Sequence, residues 1–147
     1  MYSHILIPTD GSELSTQAVQ KGVQLAKHLN ARITFLFVKP DFPLPIAGEG
    51  AMLVPESREE FSQGTQEQAL RILDAAMAIA QHEQVPAQTR SETSDQPYQM
   101  IIDSAKAESC DLIFMASHGR KGLAGILLGS ETQKVLTHCN IPVLVYR

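Results

Sequence analysis

The feature that most constrains the fold of this chain is an alternation of short, continuous apolar runs with segments of helical periodicity. Ile5-Leu6-Ile7 ends at Pro8, and Ile33 to Val38, Leu112 to Ala116 and Ile141 to Tyr146 are further apolar runs. Continuous rather than alternating apolarity suits strands covered on both faces, as in a parallel sheet. Between the first two runs, Leu14, Ala18, Gly22, Leu25, Ala26 and Leu29 recur at steps of three or four and mark one helix face. Ser12 or Asp10 can cap that helix. A second helix is expected from about Arg58 to Gln84, with Leu70, Leu73, Ala76, Met77 and Ala80 on one face. Val85 to Thr93 interleaves small residues with Gln88, Arg90 and Glu92 and reads as a polar edge strand. Ser94 or Asp95 is the expected cap of a third helix that carries Met100, Ile101, Ser104, Ala105 and Glu108 at helical spacing. A fourth begins with Ser130-Glu131-Thr132-Gln133, the spacing of a capping box with Ser130 at the cap. It is expected to turn Val135, Leu136 and Cys139 toward the core.

Five strands alternating with four helices imply right-handed crossovers and an α/β fold: a doubly wound, five-stranded parallel sheet with helices on both faces. A length of 147 residues suits one domain, expected to span 1–147, and 44% hydrophobic residues supply a sizeable core. Residues 39–57 interrupt the alternation. Pro40, Pro43, Pro45, Gly48, Gly50 and Pro55 crowd this stretch, so it is expected to be an irregular loop.

Several function classes are disfavoured. A net charge of -4 argues against a general nucleic-acid binder, although a local anion site remains compatible with it. The start MYSHILIPTDGS has no basic, apolar leader, and no window approaches the roughly 18 apolar residues of a membrane span. A cytoplasmic protein without membrane association is therefore expected. Cys110 and Cys139 are isolated and read as apolar filler, and His4, His28, His82, His118 and His138 lack the spacing of a metal site.

In such a sheet the ligand crevice lies outside the carboxyl ends of the strands. Three segments converge there: Pro8-Thr9-Asp10-Gly11-Ser12, Val38-Lys39-Pro40, and the loop from Ala116-Ser117-His118-Gly119-Arg120 to Gly129-Ser130. Gly119, Gly122, Gly125 and Gly129 fall within 11 residues of the last loop. Glycines let backbone N–H groups approach an anion, and the N-terminus of the following helix faces the same space. Arg120 and Lys121 add positive charge, so a phosphate chain is a natural guest, against the plainer reading of a flexible loop before a capped helix. Neither GxxxxGK[ST] nor GxGxxG is present. Asp10 has two readings, a carboxylate for ribose hydroxyls or a metal, or a helix cap. Val38 is either a wall for a purine or a core residue. His118 is either a general base or a loop residue lining the site.

Taken together, Ile5 to Ser12, Ala116-Ser117-His118-Gly119, Gly129-Ser130 and Pro142-Val143-Leu144-Val145 resemble the universal stress protein family over essentially the whole chain. The resemblance implies a Rossmann-like fold of the adenine nucleotide alpha hydrolase type. ATP-binding members carry a loop of the form G-x2-G-x9-G-[S/T]. Here Gly119, nine residues and Gly129-Ser130 match its second half, while Ala116 stands at the first glycine. The resemblance implies an ATP ligand, with or without Mg. Asp10 would meet the ribose, Val38 the adenine, and Gly119, Gly129 and Ser130 the phosphates. Pro8, Thr9, Ala116, His118, Arg120 and Glu131 would complete the site. It further implies a homodimer through the last strand, Ile141 to Tyr146. The loop 39–57 becomes a candidate lid.

Three functions follow. The first is a nucleotide-binding regulatory protein of the stress response. The second is a slow ATPase or phosphotransferase, for which Arg120, Lys121 and Asp10 supply parts but no committed base is identifiable. The third is a dimerisation module without nucleotide.

Overall fold

The computed structural model describes residues 1–44, 57–120, 122 and 127–147. Their elements run β1 (His4–Pro8), α1 (Glu13–Leu29), β2 (Arg32–Lys39), α2 (Arg58–His82), β3 (Ala87–Thr93), α3 (Pro97–Ala107), β4 (Leu112–Ala116), α4 (Ser130–His138) and β5 (Val143–Tyr146). The strands form one parallel sheet of order β3-β2-β1-β4-β5. The order reverses at the β1–β4 boundary, which opens a crevice at the carboxyl ends of those strands.

Alternation along each strand sorts side chains between two cores. Ile5, Ile7, Ile33, Phe35, Phe37, Leu112 and Phe114 face α1 and α2, where Ala18, Val23, Leu73 and Ala76 meet them. Leu6, Leu36, Ile113 and Met115 face the other way, onto Ile101, Ala105 and Val135 of α3 and α4. Helices thus cover both faces, which explains the unbroken apolar runs.

The helix faces and caps depart from expectation in detail. The buried face of α1 is Ser15, Ala18, Val19, Gly22, Val23 and Ala26. Leu14, Leu25 and Leu29 lie at its margin. Ser12 is the cap of α1, its side chain accepting the Ser15 N–H. On α2 the buried stripe is Ala69, Leu73, Ala76 and Ala80, because small alanines let the helix lie close to the sheet. Leu70 is one step off that stripe and 52% exposed, contrary to the periodicity reading. Leu136 on α4 is likewise 42% exposed, while Val135 is fully buried and Cys139 packs beside it.

Neither Ser94 nor Asp95 caps α3. Gln96 is its N-cap, without a side-chain bond, and Pro97 opens the helix. Ser94 instead accepts the Gln96 N–H and Asp95 accepts the Asp41 N–H. The capping box expected at Ser130 does not form. Gly129 is the N-cap, and the Gln133 side chain donates to the Leu128 carbonyl. β3 and β5 occupy the two edges. β5 begins at Val143 rather than Ile141; Pro142 has no N–H for the ladder and only accepts, its carbonyl taking the Ile113 N–H. Lys121, Gly125 and residues 45–56 of the expected lid lie outside the described residues.

Candidate functional site

The loop after β1 starts the site. Thr9 is buried, its N–H donating to the Leu36 carbonyl at 2.9 Å and its hydroxyl 3.1 Å from the Ser15 hydroxyl. Gly11 has φ +76°, the left-handed turn that lifts Asp10 out of the strand direction and lets Ser12 start the helix. Asp10 then binds two backbone amides. Oδ1 accepts the Ser12 N–H at 3.0 Å, and Oδ2 accepts the Arg120 N–H at 2.9 Å. Burial alone would raise its carboxyl pKa. The hydrogen bonds from Ser12 and the Arg120 amide outweigh burial and hold it below the usual carboxylate value. Asp10 is therefore an ionised tie between two loops rather than the α1 cap.

The loop after β4 closes against this carboxylate. A Cβ on Gly119 would run into Asp10 Oδ2. One on Gly129 would lie 3.2 Å from the His118 Cα and 3.3 Å from the Ser117 carbonyl oxygen. A side chain at 119 would thus displace the Asp10 carboxylate, and one at 129 would crowd the backbone of Ser117 and His118. The Gly129 N–H donates to the Ser117 carbonyl at 2.7 Å, and the Thr132 hydroxyl donates to the Ala116 carbonyl at 3.1 Å. These bonds aim the N-terminus of α4 back over the end of β4. Its N-cap is glycine, and among the described residues no side chain caps that N-terminus. It keeps the positive end of the helix and its unpaired N–H groups for another acceptor.

The structure brings all eleven sequence-predicted residues to one cavity of about 900 Å³: Pro8, Thr9, Asp10, Val38, Ala116, His118, Gly119, Arg120, Gly129, Ser130 and Glu131. Val38 is half-buried beside the α3–α4 core, so it is both wall and core. Ala116 is buried at the end of β4, Ser130 is exposed at the first turn of α4, and Arg120 is exposed at the mouth. The His118 ring lies against its own loop, Nδ1 being 3.4 Å from the Gly119 carbonyl oxygen. Among the described residues, no cluster of three His, Cys, Asp or Glu side chains could hold a metal ion.

Sequence reasoning missed the wall formed by the β3–α3 junction and α3: Ser94, Asp95, Pro97 and Ile101. Its signal was indirect. Glu92 and Thr93 stand level with Val38 and Lys39 in the sheet, so whatever follows β3 must share the edge of Val38. The cavity therefore joins an apolar wall of Val38, Ile101 and Met115 to a carboxylate and an uncapped helix end. That combination accommodates a flat, weakly polar group and an anionic group in one molecule.

Comparison with known proteins agrees with this geometry. The family model described as the universal stress protein family matches residues 1–147. Universal stress protein YxiE of Bacillus subtilis is 31% identical over 149 residues, covering all of both chains. The solved universal stress protein UspA from Lactobacillus plantarum is 25% identical, with a TM-score of 0.82 over 99% of this chain and 98% of its own. At 23% identity, a universal stress protein solved in complex with cAMP shares the fold, with a TM-score of 0.72 over 99% and 97% of the two chains.

Proposed function

Because the chain belongs to the universal stress protein family, we propose that it is an adenine-nucleotide-binding regulatory protein. ATP is its ligand, and it acts in the cytoplasm as a homodimer. The observation that carries this reading is the uncapped N-terminus of α4 opening into a cavity whose far wall is apolar. An uncapped helix end surrounded by close-packed glycines suits phosphate oxygens, which accept several backbone N–H bonds at once. Val38 and Ile101 suit the faces of a purine, and Asp10, which lines the same cavity, offers a carboxylate to which ribose hydroxyls can donate. Gly119, Gly129 and Ser130 would hold the phosphates, with Ala116 beneath them. The cAMP complex of a protein with this fold supports an adenine nucleotide as the guest. Regulation follows if nucleotide binds one state of the protein more tightly than another.

The dimer reading rests on β5. It is a sheet edge made of half-buried Val143, Val145 and Tyr146, with Leu144 39% exposed. An apolar edge favours a partner strand, whereas β3 at the other edge is polar. Sedimentation of the intact protein is expected to give the mass of two chains, and a monomer at micromolar concentration would remove the dimer from the proposal.

The nucleotide reading is tested by calorimetric titration of nucleotide-stripped protein with ATP, with and without Mg, beside Ser130→Glu. A glutamate in the first turn of α4 is compatible with the helix but sets a negative charge where phosphates would lie. Gly129→Glu is less suitable, since its Cβ would already crowd His118. The expected result is micromolar binding, about -8 kcal/mol, that Ser130→Glu loses. Failure of the unaltered protein to bind any adenine nucleotide would overturn the reading.

A further inference from the structure

Glu131 stands at the second position of α4, the helix end assigned above to phosphate. A carboxylate there would oppose an anionic guest if it faced the cavity. Its oxygens are committed elsewhere. Oε2 accepts the Tyr98 backbone N–H at 2.8 Å, across 33 residues of sequence, and Oε1 lies 3.5 Å from Lys134 Nζ.

The bond to Tyr98 meets a need specific to α3. That helix has no side-chain cap of its own, and Pro97 at its first position has no N–H. Gln99 and Met100 both donate to the Gln96 carbonyl. Tyr98 is therefore the donor left over at this helix start, and among the described residues Glu131 is its acceptor. The same contact is reinforced twice. Lys134 Nζ lies 5.4 Å from the centre of the Tyr98 ring, and the His138 ring is 5.4 Å from it on the next turn. A carboxylate from α4 thus serves as the N-terminal cap of α3.

We infer that Glu131 is a positioning residue of the nucleotide site. It joins the N-termini of α3 and α4, and so sets the distance between the apolar wall carried by Pro97 and Ile101 and the anion-binding end at Ser130. This inference rests on the nucleotide reading above. Glu131 holds the frame and contacts no ligand. Its role needs an acceptor oxygen and not a charge, so glutamine at this position restores what alanine removes.

The experiment uses the full chain in three forms: unaltered, Glu131→Ala and Glu131→Gln. The Tyr98 amide is followed by proton–nitrogen NMR without ligand, and ATP and AMP affinities are measured by calorimetry. In Glu131→Ala the Tyr98 amide signal should shift and exchange faster. ATP and AMP should weaken by a similar factor, about fivefold for the loss of one helix cap. In Glu131→Gln the Tyr98 signal should remain near its original position, and affinity for both nucleotides should return to within about twofold of the unaltered protein. Loss of ATP affinity in the glutamine variant as large as in the alanine variant would overturn the inference, because the charge would then act on the ligand. So would an alanine variant that binds both nucleotides normally, or one whose Tyr98 amide is unmoved. If the unaltered protein binds neither nucleotide, the functional reading falls and this inference falls with it. If it binds and only the variants disagree, the positioning role alone is overturned.

Discussion

Asp10 Oδ2 accepts the backbone N–H of Arg120 at 2.9 Å, joining two loops that lie 110 residues apart in sequence. The bond spans the switch point of the sheet, where the loops after β1 and β4 lead to helices on opposite faces. Its partner Oδ1 holds Ser12, the cap of α1. One carboxylate therefore sets the loop after β1, the start of α1 and the glycine loop after β4.

Asp10→Ala removes the acceptor of two backbone amides and is expected to cost about 1–3 kcal/mol in urea unfolding. Asp10→Asn keeps one acceptor oxygen and should lose less. The acid limb carries a further signature. The folded pKa of Asp10 lies below its ordinary 3.8, so its contribution is complete above that value and disappears as pH falls through the folded pKa. The alanine variant should therefore lose part of the stability decline below about pH 4. An unchanged acid limb would show that Asp10 is not the ionised tie described here.

Three glycines should respond to alanine in different directions. Gly64 lies within α2 with nothing near its missing Cβ, so Gly64→Ala should stabilise by roughly 0.5–1 kcal/mol through helix propensity. A Cβ on Gly22 would lie 2.5 Å from Ile7 Cδ1 and 3.3 Å from Phe114 Cδ1, so Gly22→Ala must displace core side chains and destabilise by about 1–3 kcal/mol. Gly119→Ala would drive into Asp10 Oδ2 and is expected to weaken nucleotide binding far more than it lowers stability. Thermal unfolding and calorimetry on the three variants separate these effects. A Gly119→Ala protein that binds as before would place the ligand away from this loop.

The order and type of every element were legible because the apolar runs are continuous and the helix stripes periodic. What escaped was local and physical. Periodicity marks a stripe about 100° wide but not its centre, so it points Leu70 and Leu136 inward although Ala69 and Val135 are the buried residues. Capping was misplaced at α3 and α4 because the needed acceptors come from tertiary contacts. Glu131 reaches Tyr98 from another helix, which no local spacing announces. The convergence of the loops after β1, β2 and β4 followed from topology, whereas the wall at Ser94 to Ile101 was hidden by the polar look of β3.

His4 provides a pH dependence near neutrality. It is buried in β1, with Nε2 2.8 Å from the Thr34 hydroxyl and Nδ1 without a partner among the described residues. Burial lowers its pKa below 6.5, helped by Arg32 on β2 and opposed by Glu108 and Asp111. The unfolded chain thus takes up a proton near pH 6.5 that the folded chain refuses. Stability should fall as pH drops below 6.5 toward the folded pKa, by at most about 1.4 kcal/mol per pH unit. Urea midpoints between pH 7 and 5 should slope in the unaltered protein and flatten in His4→Gln. Equal slopes in both would assign the effect to another group.

Cys110 should be inert until the protein unfolds. It lies 5% exposed between α3 and β4, packed with Leu6, Ile101 and Ile113. Burial pushes its thiol up to about 12, and Glu108 and Asp111 add to the rise. At pH 8 the thiolate, the reactive form, is therefore scarce as well as shielded. In a Cys139→Ser background, which leaves Cys110 as the remaining thiol, maleimide labelling at pH 8 should proceed only as fast as the protein opens. Adding denaturant below the unfolding midpoint should accelerate it in step with the unfolded fraction. Rapid labelling of the native protein would mean that the end of α3 opens locally without global unfolding, and that the packing of α3 on β4 is weaker than its buried contacts imply.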